Sequence, residues 1–190
     1  YKGINLKTLI KDIANIQTGL FARPLGEGDV VYLQVKHFDE EGKLQSALHG
    51  DLLSAYVAEK HLLKDGDVLF AAKGSKNFAA VFEDHNAPSV ASTSFFVIRP
   101  IENTVLPQFI AWFLNNPATQ TLIKGQATGT SIPSISKQVL EHLEITVPSI
   151  ETQKAILQIA QLREKEKELK QRIEILREKQ VQQQIINAIQ

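Results

Sequence analysis

Apolar and polar positions alternate in short runs over most of the chain, then settle into a long rhythm of threes and fours. "VVYLQVK" (Val30–Lys36) is β-branched and aromatic, which predicts a strand. In "DGDVLFAAKGS" (Asp65–Ser75) a turn leads into an apolar run and out at a glycine, the pattern of a buried strand. "SVASTSFFVIRP" (Ser89–Pro100) reads as one further strand, ended by proline. "LPQFIAWFLNNPATQTLIKG" (Leu106–Gly125) predicts a helix. Pro107 suits its first turn, Ile110, Phe113 and Leu114 share a face, and Gly125 suits its stop. Pro117 should split or kink it. "SKQVLEHL" (Ser136–Leu143) predicts a short helix capped by Ser136, and "EITV" (Glu144–Val147) a strand that Pro148 ends. Residues 1–148 therefore read as one α+β domain with a mixed sheet.

From Ser149 the pattern changes. Residues 149–190 hold neither Gly nor Pro. Ser149 can cap a helix, and Glu151 suits the positive end of its dipole. Ala155, Ile159, Leu162, Leu169, Ile173 and Leu176 follow alternating spacings of four and three, interrupted by Glu166. That is a heptad seam. Beyond Leu176 the seam meets Gln180 and Gln183, while Val181, Ile185 and Ile189 carry the apolar stripe round to another face. Such a helix is about 60 Å long, more than the preceding domain can cover. A coiled coil with a second helix is expected, and the alternative is a solvated helix folded back on its own domain.

Composition narrows the field. The chain of 190 residues has no cysteine, which removes disulfides and thiolate chemistry and fits a cytoplasmic setting. No apolar run is long enough to cross a membrane, so no membrane partner is expected. Formal net charge is zero, with a small basic surplus in the helical segment. A protein that grips phosphates alone carries a clear basic excess. Any nucleic-acid role must use local patches, a partner, or both.

Catalytic constellations are missing from the sequence. His37, His49, His61, His85 and His142 show no ligand spacing. "GQATGTS" (Gly125–Ser131) has phosphate-loop glycines, but Thr130 stands where lysine is needed. No G-x-G-x-x-G follows a strand. "NNPA" (Asn115–Ala118) is faintly similar to a methyltransferase motif but lacks its second proline and its aromatic, and reads as a helix turn. Asp65 and Asp67 read as solvated turn residues.

The order of segments resembles one half of the DNA-specificity (S) subunit of type I restriction–modification systems. "LKTLIKDIANIQTG", "VYLQVKHFDEEGKL", "LLKDGDVLFAAKGS", "ASTSFFVIRP" and "GTSIPSISKQVLEHLEITVPSIETQKAI" carry the likeness, which covers nearly the whole chain. It implies a target recognition domain followed by a spacer helix. It further implies a non-catalytic subunit that binds double-stranded DNA together with methyltransferase (M) subunits, which hold S-adenosylmethionine. A restriction (R) subunit is a further partner that the resemblance leaves open. Family chains carry two such units, and this sequence carries one. That implies either a fragment or a half-length subunit that forms a homodimer and reads a two-part site with symmetric halves. Gln153, typical of the family's junction, reads as structural.

Candidate DNA contacts rest on residue chemistry. "AAKGSKN" supplies Lys73, Ser75, Lys76 and Asn77 on a glycine-opened turn. Lysine suits phosphate or guanine, and asparagine suits adenine. "GQATGTS" offers Gln126, Thr128 and Thr130, with Ser131 more a positioning residue. Lys36, beside His37, and Arg23 in "TGLFARPLGEG" complete the set. The alternative is a solvated turn for "AAKGSKN", a polar loop that positions the exit strand for "GQATGTS", and an ordinary strand-end pair for Lys36 and His37. Trp112 and Phe113 are either a stacking platform or core. Ile159, Leu162, Leu169, Ile173 and Leu176 are the expected dimerisation residues. The competing function is a coiled-coil interaction adaptor that binds no DNA; a metal-dependent nuclease built on scattered carboxylates ranks below it.

Overall fold

The computed structural model describes residues 6–39, 42–44, 48–74, 76–83, 88–101, 104–129 and 133–189. The chain divides into two units, Tyr1–Gln153 and Lys154–Gln190. Among the described residues no helix is long and apolar enough to cross a membrane.

The first unit opens with β1 (Leu6–Leu9), a single helical turn α1 (Ile10–Ile13) and β2 (Ala14–Thr18). It continues with β3 (Val31–Leu33), β4 (Val68–Ala71), β5 (Ala79–Val81), β6 (Ser89–Ala91) and β7 (Phe95–Pro100). Then come α2 (Pro107–Asn115), α3 (Pro117–Gly125), α4 (Lys137–Glu141) and β8 (Glu144–Val147), before α5 (Ile150–Ala188). The main sheet is antiparallel in the order β2-β7-β4-β5, β3 pairs with β6 in parallel, and β1 pairs with β8 antiparallel. β4 is buried at every position, as its unbroken apolar run requires. Its residues Leu69 and Ala71 join Val31, Leu33, Phe78, Phe95 and Val97 in a core cluster.

Two expected strands are shorter than the sequence pattern predicts, each for a local reason. β3 stops at Leu33 because the Gln34 N–H donates to His37 Nδ1 (3.2 Å), and Val35–His37 curl into a 3₁₀ turn. The run 89–100 is not one strand but two. A turn closed by the Phe95 N–H on the Ser92 carbonyl (2.9 Å) carries the chain from β6, beside β3, to β7, between β2 and β4. Three consecutive hydroxyl residues, Ser92-Thr93-Ser94, sit at the switch. Gly19 makes it possible: a Cβ there would lie 2.1 Å from the Ser92 carbonyl oxygen.

Pro117 divides the helical run as expected, and the two asparagines before it act in different ways. Asn115 clamps the edge strand β5, accepting from the Ala79 N–H and donating to the Ala79 carbonyl, both at 2.8 Å. Its amide thus supplies the pairing a further strand would have made. Asn116 caps α3 by accepting from the Ala118 N–H at 3.0 Å. Trp112 stacks on Phe109 with ring centroids 5.4 Å apart, and Trp112 and Phe113 are half-buried.

Gln153 ties the first turn of α5 into the first unit. It is fully buried, accepts from the Leu106 N–H (2.9 Å), and donates to the Thr104 and Pro148 carbonyls (2.8 Å each). Asp67 departs from the solvated turn residue expected. It is 1 % exposed and chelates Arg99 of β7 through both oxygens, at 2.7 and 2.6 Å.

Candidate nucleic-acid interface

β4 ends at Ala71, and the chain leaves it over the main sheet's end. The Ala72 N–H donates to the Ser94 carbonyl (2.8 Å), and Lys73 forms an antiparallel bridge to Ser134. Gly74 then turns with φ +105°, a left-handed conformation that costs glycine little, and its N–H donates to the Pro133 carbonyl (2.9 Å). Ser134 also bridges Thr128, exchanging N–H···O bonds of 3.0 and 2.8 Å. Two loops distant in sequence therefore meet on one residue, with Lys73 on one side of Ser134 and Thr128 on the other. Lys73, Lys76, Gln126 and Thr128 are exposed. Asn77 is half-buried and spends one amide proton on the Ala71 carbonyl (2.8 Å), closing the turn. Ser75, Thr130 and Ser131 lie outside the described residues.

Sequence reasoning missed the charge pattern of these two segments. Between Asp67 and Glu83 the chain carries Lys73 and Lys76 and no carboxylate; between Glu102 and Glu141 it carries Lys124 and Lys137 and no carboxylate. The ribbon at Ser134 is thus built from two acid-free stretches of a chain whose net charge is zero. Counting charge by segment rather than by half of the chain would have found it.

Lys36 and His37 occupy the 3₁₀ turn after β3, and Lys36 is exposed. The next residue, Phe38, packs against Phe78 and Phe95 with centroids at 5.5 Å. Phe78 follows Asn77 directly, so this ring cluster anchors the Lys36 turn beside the ribbon. Burial, then the charge of Lys36, hold the His37 imidazole below its ordinary pKa, with Asp51 opposing. Arg23 keeps different company. It is exposed among Phe21 (73 % exposed), Leu25, Leu53 and Tyr56 (77 %), around a cleft of about 420 Å³. Among the described residues no cluster of His, Cys, Asp or Glu could hold a metal ion.

Residues 8–175 match the family model of the type I restriction modification DNA specificity domain. The chain belongs to this family. A curated relative, the HindI specificity subunit of Haemophilus influenzae, is 32 % identical over 103 residues, which is 53 % of this chain and 22 % of the relative. Among solved structures, the HsdS subunit of Thermoanaerobacter tengcongensis aligns over 86 % of this chain and 43 % of its own length, with TM-score 0.65 and 19 % identity. The S subunit of M. genitalium aligns over 83 % and 38 %, with TM-score 0.56 and 18 % identity. This chain therefore spans about a fifth to two fifths of the length of these relatives. At these identities the two solved structures show a shared fold. For a specificity-domain chain, the Ser134 ribbon offers the chemistry DNA requires: cations for phosphate, and hydroxyl and amide groups for backbone or base edges.

Proposed function

We propose that this chain is a specificity module of a type I restriction–modification complex, and that its first unit contacts double-stranded DNA through the ribbon at Ser134. Lys73 and Lys76 hold phosphate; Thr128 and Gln126 approach backbone or base edges; Lys36 extends the contact from the neighbouring turn. The reading rests on one observation: two acid-free, lysine-bearing loops converge on Ser134 in a chain of the DNA-specificity family. The chain itself performs no chemistry in this reading. Methyl transfer, with S-adenosylmethionine, belongs to partner M subunits, and cleavage to an R subunit where one joins. A net charge of zero supports that division, since a partner then supplies much of the phosphate grip. The spacer helix pairs with a second helix. If that helix belongs to a copy of this chain, two recognition units read a two-part site with symmetric halves.

The double variant Lys73→Glu with Lys76→Glu tests the reading. With the cognate M subunit present, affinity for target duplex should fall roughly tenfold or more. The slope of log affinity against log salt should flatten by about two, one for each phosphate that is no longer neutralised. Unchanged affinity and slope would remove the ribbon from the interface. The adaptor reading, favoured by the exposed apolar residues of α5, predicts no sequence preference for the wild-type complex on a random duplex library.

A further inference from the structure

The seam of α5 has flanks of a single sign. With Ile159, Glu166 and Ile173 at one core position of the heptad and Leu162, Leu169 and Leu176 at the other, the residues bordering the seam from 163 to 179 are Arg163, Lys165, Lys170, Arg172, Arg177 and Lys179. Every one is basic, and every one is exposed. The acidic residues Glu164, Glu168, Glu174 and Glu178 fall on the other positions, away from the seam. Flanking positions of a coiled coil face the flanks of the partner, and their charges select it.

Self-pairing meets this pattern badly in either direction. In a parallel pair Lys165 faces Lys170 of the second copy, and Arg172 faces Arg177. An antiparallel pair can match Ile159 with Leu176 and Leu162 with Ile173, but it sets Arg163 against Lys170 and Lys165 against Arg172. It also buries Glu166 opposite Leu169. On its own helix Glu166 is held by Lys170 at 2.6 Å, and burial against leucine would strip that carboxylate of water. Duplex DNA would satisfy the basic rows but offers its phosphates nothing for a stripe of leucine and isoleucine between them.

We infer that this face takes a helix of different sequence, with an apolar seam, glutamate or aspartate along both flanks, and a lysine or arginine at the layer facing Glu166. Such a partner neutralises six cations, covers the apolar stripe and pairs the seam carboxylate. This inference does not depend on what the ribbon at Ser134 binds.

The test uses the full chain and synthetic helical peptides with leucine and isoleucine seams and lysine facing Glu166, one carrying glutamate at every flank and the other lysine. At low salt the glutamate-flanked peptide should bind roughly a hundredfold more tightly, six flank pairs each contributing modestly, and the gap should close as salt rises. The variant Arg163→Glu/Lys170→Glu/Arg177→Glu, which keeps good helix formers and leaves Lys165, Arg172 and Lys179 basic, should abolish the preference that the wild-type chain shows. Sedimentation of the chain alone should show self-association that strengthens with salt. Equal binding of both peptides at low salt would overturn the inference. So would a low-salt dimer that the glutamate-flanked peptide cannot displace, or competition for this face by a short DNA duplex. Lys73→Glu/Lys76→Glu should leave peptide binding unchanged, which separates failure here from failure of the DNA reading.

Discussion

The amide of Gln153 satisfies three backbone groups where α5 begins, two carbonyls and one N–H, with no surface exposed to water. Gln153→Leu keeps the volume roughly but leaves those groups unpaired in a buried site. It should cost about 3 kcal/mol in urea unfolding, and a loss under about 1 kcal/mol would mean that water takes the place of the amide. The family resemblance, in which a glutamine is typical of this junction, marked Gln153 as structural. The sequence pattern misread Asp67, whose partner Arg99 lies on a strand paired with β4 only after folding. His37 carries a pH signature. Its folded pKa is lowered, so the unfolded chain binds the proton more readily, and stability contributed by neutral His37 is complete above the ordinary value of 6.5 and declines as pH falls below it. Protonation also removes the acceptor for the Gln34 N–H. NMR titration should place the His37 midpoint below 6.5, and Lys36→Ala should move it upward; a midpoint at or above the ordinary value would contradict the buried turn.

Elements marked by a chain-local device were legible, and those made by a distant contact were not. Pro117 announces the break between α2 and α3, and Ser136 its helix start, because a ring that cannot donate and a hydroxyl that accepts act on their own neighbours. The split between β6 and β7 depends instead on Gly19 arriving against Ser92 from β2. Nothing in "SVASTSFFVIRP" reports that approach. Gly19→Ala should therefore destabilise by about 3 kcal/mol, since its Cβ would meet backbone rather than a movable side chain. Gly26→Ala, where nothing stands within 4 Å, would isolate the separate cost of positive φ. If both substitutions cost the same, close packing at the strand switch is not what Gly19 provides. The candidate interface follows the same rule. Lys73 and Thr128 were each visible as loop chemistry, but only β-bridges to a shared Ser134 bring them together.

At the scale of the whole molecule the two units draw on different sources of stability. The first has a core in which Leu69, Ala71, Phe95 and Val97 are each at most 1 % exposed. In the second, residues 154–189 are exposed or half-exposed, so helix propensity and pairs such as Lys167–Glu164 and Lys170–Glu166 must hold it. Each such pair contributes about 0.3–0.5 kcal/mol and is screened by salt. The absence of Gly and Pro favours the helix, but a long helix without a packed face is marginal in water, because nucleation is costly and no tertiary contact repays it. Heating the chain alone should therefore give two losses of far-UV signal, a broad early one that shifts with salt and a sharper later one from the core. Amide exchange should be fast from Lys154 to Ala188 and slow at Leu69 and Val97. Adding the glutamate-flanked peptide should slow exchange along 159–176 and merge the early loss toward the later. A single cooperative transition, with protection in α5 equal to that in β4 and no partner present, would mean that the helix is already covered, and its exposed seam would cease to argue for any second helix.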